Sequence, residues 1–433
     1  MPVFFGGAPN AECLHQVEAL RSLLAGEAEI LAPVPAGAAL PGADAVVLPQ
    51  VLGEAYRQIA DLKKIPVPIV IVTSEFGTVS MWDWEIASYM RSEGIRALMP
   101  YNLGQARVIC RALGVRRQLR GGKFLVYQDN PGEGFQASIF KRFYWWEEEC
   151  TARMLERFGL AIRRKSFRDL GAAARAIPDA EAEEAAARRR LPGGSIAGRP
   201  LLSAVKLYLA LKGELAAEGG VLAAGINCLN ESHFSDTTPC LAWNWLYEDM
   251  GLTWGCEADT MAMLTHHILY QSLRAPIMMT NLYPFLLGQA ALKHERIADF
   301  PQTPEPENHV LVAHCGYLGV LPQAFATEWT LRSKVLAIVN ENATAIDARL
   351  PEGPVTLGKL HPKLDRLSVA EGELEGYAQY PGSDCRNGGV IRLGDGHRFM
   401  NLLSSHHYMV MTGHRGRDLE LVSRIFDFEL EVI

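Results

Sequence analysis

A chain of 433 residues, 48% hydrophobic and 21% charged, is too long for one small core and too apolar for disorder, so two or three domains are expected. A net charge of −7 leaves no overall electrostatic footprint for nucleic acid. Eight scattered cysteines without a CxxC pair argue against structural zinc, the chain shows no secretory signal, and no run approaches the ~20 apolar residues of a membrane span, so a cytoplasmic protein without a disulfide framework is expected.

Residues 1–121 alternate short apolar runs with helical patterns. Ala28–Val34, Asp44–Leu48 and Pro66–Thr73 read as buried strands; Ala11–Leu24, Val51–Leu62 and Trp84–Arg91 read as helices. That alternation predicts a parallel sheet. The strand before Ser74 is followed by Met81-Trp82-Asp83-Trp84, where tryptophans beside acids suit either a sugar-stacking wall or plain packing.

Gly121-Gly122 marks a boundary, and a second α/β domain is expected over 122–328. Lys123–Gln128 reads as a strand and Asp129–Gly134 as a turn-rich loop that is neither a P-loop nor GxGxxG. Ser138–Phe158 reads as one helix carrying Tyr144, Trp145 and Trp146, stopped by Gly159. A solvated helix with acids before bases follows, then a helix over Leu201–Glu218.

The stretch 225–288 concentrates the polar chemistry. The apolar run Val221–Ile226 ends at Asn227, Cys228, Asn230 and Glu231. Helical spacing over Thr260–Leu273 is preceded by Glu257 and Asp259, and the run Pro276–Thr280 ends at Asn281. Sites of open α/β sheets lie at such strand ends. Each residue also has a plainer reading. Glu257 suits a helix N-terminus, Asp259 an N-cap, and His266 and His267 a buried core.

His309–Ala313 delivers His314 at a strand tip. Beyond 328, strand-like runs at Val335–Val339, Pro354–Lys359, Arg366–Glu373, Val390–Leu393 and Tyr408–Thr412 are separated by turn residues, which predicts an antiparallel β domain over 329–433 closed by a helix at Asp418–Phe426.

The segments CEADTMAMLTHHILYQSL, IMMTN, HCG at 314–316 and HHYMVMTGHRGRDLELVSRIFDFEL together resemble the L-fucose isomerase and L-arabinose isomerase superfamily, the L-fucose isomerase branch above all. The resemblance spans roughly residues 220–430. It implies two Rossmann-like α/β domains followed by a barrel-like antiparallel domain, and a homo-oligomer, trimer or hexamer. It also implies a divalent metal, usually Mn²⁺, held by a Glu, an Asp and a C-terminal His. The Glu matches Glu257 and the His matches His407. The Asp, 24 residues after the Glu, is here Asn281.

The implied reaction is aldose–ketose isomerisation, through an enediol, of a monosaccharide or modified sugar: a deoxy sugar, a pentose, or an anionic sugar such as a sulfo-sugar. Glu257 is the expected base. Asn281 offers an amide oxygen but no proton transfer, so Asp259, His314 and Glu231 are the candidates for a second proton carrier. His314, Trp82 and Glu231 are expected to touch substrate. Two other functions remain open: a lyase or epimerase using the same enolisation, and a non-catalytic sugar-binding protein.

Overall fold

A computed structural model describes residues 1–6, 8–49, 54–72, 81–131, 138–286, 289–290, 302–314, 321–333, 339–378 and 388–433. The chain divides into two compact units. One comprises Met1–Gln118 with Gln271–Leu273 and Arg417–Glu429; the other comprises Leu119–Tyr270, Arg274–Gly416 and Leu430–Ile433.

The first unit holds a parallel sheet of Val46–Leu48, Ile69–Ile71 and Ala97–Leu98, in that order. Its core gathers Val46, Leu48, Ile69, Ile71, Ala87, Met90 and Ala97. Of the run Ala28–Val34, only Val34 is in a strand, the two-residue Val34–Pro35; the expected longer strand is absent because residues 28–33 make no ladder. The helix Leu103–Leu119 escaped the sequence reading: Arg107, Arg111, Arg116 and Arg117 dilute its apolar face. The expected closing helix forms at Gly416–Phe426, and all of it but Gly416 falls within this unit.

Besides the two-stranded antiparallel pair Glu328–Ser333 and Thr344–Arg349, the second unit contains two larger sheets. The parallel one is built from β1 (Lys123–Tyr127), β2 (Ala161–Lys165), β3 (Val221–Ile226) and β4 (Thr253–Cys256), in the order β2-β1-β3-β4. The antiparallel one is built from β5 (Ile277–Leu286), β6 (His309–Ala313), β7 (Gly353–Leu360), β8 (Arg366–Ala378), β9 (Gly388–Leu393) and β10 (His407–Thr412). Its order β5-β6-β9-β8-β7-β10 closes because β10 also pairs with β5. Closure leaves none of the six strands as an edge. Strands from both sides of position 328 therefore share one sheet. The strand expected at Val335–Val339 lies almost wholly outside the described residues.

Between the two sheets runs α1 (Thr260–Leu273). Met261, Met263, Leu264, Ile268 and Leu269 are all buried, so the helix is apolar nearly all round, the signature of a core helix. Each such side chain contributes about 1.5–3 kcal/mol. Gly225 and Gly255 face each other across β3 and β4. A Cβ on Gly225 would come within 2.8 Å of Met263 Sδ, and one on Gly255 within 2.4 Å of Met263 Cγ and 2.9 Å of Asp259 O. These glycines therefore let the start of α1 sit directly on the sheet. On the barrel side, a Cβ on Gly358 would meet Leu269 at 3.1 Å, and Thr265 Oγ1 accepts from Leu360 N. The N-terminus of α1 is thus where strand ends of both sheets converge.

The helix expected over Ser138–Phe158 is broken. Phe140–Phe143 and Glu148–Phe158 are helical, and Tyr144-Trp145-Trp146 between them is buried, with Trp145 at φ 59°. Tertiary bonds outweigh helix continuity here. Thr260 N and Oγ1 donate to Tyr144 O, Oγ1 also to Trp145 O, and Trp146 Nε1 donates to Ala258 O at 2.9 Å.

Candidate metal centre

The turn from β4 into α1 carries the first functional side chain. Glu257 and Ala258 both adopt left-handed backbone, φ 55° and 54°. Such conformations cost non-glycine residues about 1–2 kcal/mol each, and they concentrate at functional sites. Trp146 Nε1 donating to Ala258 O, and Thr260 Oγ1 donating to Tyr144 O, tie the turn to the 144–146 segment. Asp259 then caps α1, its Oδ1 accepting from Ala262 N at 2.7 Å, which confirms the N-cap reading.

Across from this turn stand three barrel residues. His407 opens β10, Asn281 pairs directly with it on β5, and His314 follows Ala313, which flanks Asn281 on the other side. Directly opposed residues of an antiparallel pair share a face, with Cβ atoms about 4.5–5.5 Å apart. Asn281 and His407 therefore project together.

Glu257, His314 and His407 are all buried and each offers one ligand atom within 4.8 Å of the others. Glu257 Oε1 lies 3.9 Å from His407 Nε2. The rings of His314 and His407 stack at 5.7 Å, and Tyr144 stacks on His407 at 4.8 Å. Tyr144 Oη donates to Glu257 Oε2 at 2.8 Å, which fixes the carboxylate's orientation.

His407 is held from behind. Its Nδ1 meets Asp259 Oδ2 at 2.8 Å. Donation from Nδ1 to a carboxylate leaves the lone pair on Nε2, and a carboxylate behind the ring is the usual support of a metal-binding histidine. Burial, with His314 and Lys359 nearby, holds His407 well below the ordinary histidine value, so the ring is neutral and fit to ligate. Among the described residues, His407 Nε2 has no hydrogen-bond partner. Asn281 Oδ1 has none either, while Asn281 Nδ2 donates to Tyr283 Oη at 3.1 Å. Two orphaned atoms beside a buried carboxylate and a second imidazole are costly unless something binds them. A divalent cation fits this donor set.

Lys359 of β7 is fully buried, with Nζ 3.8 Å from Asp259 Oδ2. Burial raises the Asp259 carboxyl, and Lys359 with the backbone N–H groups of α1 opposes that shift.

The expected residues therefore fare differently. Glu257 and His407 come together, 150 residues apart in sequence. His314, expected to contact substrate, sits among the ligand atoms. Asn281 stands beside His407 with a free oxygen. His406, next to His407, has Nε2 3.4 Å from Tyr144 Oη and takes no part in the group. Glu231 is buried at the end of β3, and its carboxylate accepts the backbone N–H groups of Asp129 and Asn130. It ties two loops together. Trp82 belongs to the first unit, in the helix Met81–Ser92, and is 65% exposed. Tyr144 was missed as a functional residue because an aromatic cluster in an apparent helix gives no sign that its hydroxyl reaches Glu257. Lys359 was missed because alternation in a strand does not tell a buried lysine from an exposed one.

No protein-family model matches the chain, and no curated protein matches it.

Proposed function

We propose that this protein is a metal-dependent aldose–ketose isomerase acting on a monosaccharide. The observation that carries the reading is the buried Glu257–His314–His407 group, with Asp259 behind His407 and the orphaned Asn281 Oδ1 beside it. The resemblance to L-fucose isomerases supports the same reading. It also motivates Mn²⁺ as the metal, a Rossmann-like character for the two parallel-sheet regions, a cytoplasmic location and a homo-oligomer.

His314, His407 and Glu257 would hold the metal, with Asn281 Oδ1 as a neutral fourth donor. When bound, a divalent cation polarises a carbonyl and its neighbouring hydroxyl. The chain's own residues do the rest. Glu257, a carboxylate held by Tyr144, removes the proton from C2. Asp259 keeps His407 in one tautomer. Tyr144, on Glu257 Oε2, can pass a proton to and from that carboxylate, a task Asn281 lacks the chemistry to perform. Water is limited because every group named here is buried.

The test is direct. Purified protein is assayed for Mn, Fe, Co, Ni and Zn, then each metal-loaded form is incubated with aldoses and ketoses in deuterated water. Deuterium at C2, with interconversion of the pair, is the expected result. Glu257→Gln should lower that rate about 10²–10⁴-fold. A metal-free protein, or metal-loaded forms that exchange no C2 proton, sinks the proposal.

A further inference from the structure

The parallel sheet delivers more than Glu257 to this end of the unit. Tyr127, Ile226 and Cys256 are in register across β1, β3 and β4. The residues one step beyond are Gln128, Asn227 and Glu257, side by side at the strand tips. Gln128 is 6% exposed and Asn227 fully buried. Their main chains are spoken for: Gln128 N donates to Lys165 O and Asn227 N to Tyr127 O, both at 3.0 Å. Their side chains are not. Among the described residues, Gln128 Oε1 and Nε2 and Asn227 Oδ1 and Nδ2 all lack hydrogen-bond partners.

Four amide atoms in one row without protein partners call for an occupant that can pair with them. Nor is the row loosely held. Glu231 clamps the backbone of Asp129 and Asn130, just after Gln128. Gly225, two residues before Asn227, lies against Ala258, its Cβ position 3.2 Å from Ala258 Cα. The row starts at Glu257 and reaches Gln128 two strand spacings away, about 10 Å.

Resting on the isomerase reading above, we infer that Gln128 and Asn227 form a binding subsite that runs from the metal centre along the sheet tips and takes the uncharged, polyhydroxylated chain of the substrate. Each amide presents one acceptor and one NH₂ donor. Hydroxyl groups, which donate and accept, satisfy both. A carboxylate, sulfonate or phosphate tail accepts only, and would leave Gln128 Oε1 and Asn227 Oδ1 facing other oxygens. The subsite therefore selects neutral sugars against anionic ones.

The test is calorimetric titration of the protein, both as purified and metal-loaded, with every stereoisomer of the five- and six-carbon alditols and with the matching aldonates. At least one alditol should bind, and more tightly than its aldonate. In Gln128→Met and Asn227→Leu, which keep size and remove the polar atoms, the Kd for that alditol should rise about tenfold or more, the cost of a lost buried hydrogen bond. Metal content should stay the same, and Tm should hold or rise, because orphaned groups are removed. Gln128→Glu and Asn227→Asp, which retain shape and lose the donor, serve where the apolar variants fail to fold, and should weaken the alditol likewise. No alditol binding to either form, tighter binding of an aldonate, or unchanged Kd in the folded variants overturns the inference. Loss of Tm with unchanged Kd identifies an internal water site and overturns it too. A protein that holds metal but fails these titrations leaves the metal reading standing; one that binds alditols without metal does the reverse.

Discussion

Two pairs of buried histidines in the second unit invite comparison. His266 and His267 lie on α1, and His314 and His407 lie at the barrel strands. All four are at most 2% exposed. Among the described residues, the Nε2 atoms of His266 and His267, like that of His407, have no hydrogen-bond partner. Burial alone therefore does not mark a site. The difference is what each ring faces. His266 Nδ1 meets Trp254 O at 2.9 Å and His267 Nδ1 meets Thr253 Oγ1 at 3.1 Å, both neutral groups. His407 has the Asp259 carboxylate behind it and the Glu257 carboxylate in front. A cation can be held where carboxylates converge on imidazoles, and not where imidazoles are packed among apolar side chains.

The largest contrast should come from removing one ring of each pair. His407→Ala is expected to bring divalent metal content to background while far-UV circular dichroism stays native. His266→Phe should keep full metal content. Equal metal loss in both, or retention in His407→Ala, would erase the distinction.

Asp259→Asn sharpens the comparison by making His407's support resemble His266's neutral one. Metal affinity should fall about 10–100-fold, the usual effect of losing a carboxylate behind a ligating histidine. Competition titration against a fluorescent chelator measures it; an unchanged Kd would make Asp259 a helix cap and nothing more.

Acid should cost stability through the α1 pair. Burial lowers His266 to about 4 and His267 to about 3. In the unfolded chain each binds its proton near 6.5. Between those values the unfolded state holds more protons, so stability is full above pH 6.5 and declines as pH falls toward the folded values. At pH 5 each histidine should cost about 2 kcal/mol relative to pH 7. Urea unfolding at the two pH values checks this: a His266→Phe, His267→Phe double variant should lose less on acidification than the parent. An equal loss in both would assign the acid sensitivity to other groups.

The smallest expected effect is at Asn281. Asn281→Asp adds a charge beside His407 and should tighten metal binding several-fold, while lowering kcat/KM because the Nδ2 donor is lost. Improvement of both quantities would mean that the amide is a weakened ligand with no use of its own.

Much of this was legible in the residues themselves. The apolar runs leading to Asn227 and Asn281 announced strands, the spacing over Thr260–Leu273 announced the helix, and the turn-separated runs after 328 announced an antiparallel sheet. The strand Thr253–Cys256 before Glu257 went unread, and β5 continues past Asn281 to Leu286 because its pairing with β6 carries on. Glu257 and Asp259 stood out from their chemical types and their places at element ends, and His407 only through the resemblance to a known family. Other features depended on contacts no spacing encodes. The break at Tyr144–Trp146 exists because Thr260 binds the backbone of Tyr144, and Ala258 O accepts from the Trp146 indole, from more than 100 residues away. His314 joins the ligand atoms only because barrel closure sets β6 and β10 on either side of Asn281. Lys359 is buried only because β7 packs on α1. Local sequence determines which elements form and what chemistry they carry. Which side chains meet, and which are left without partners, is decided by long-range register and packing, since those fix distances between residues that the chain's own order leaves unconstrained.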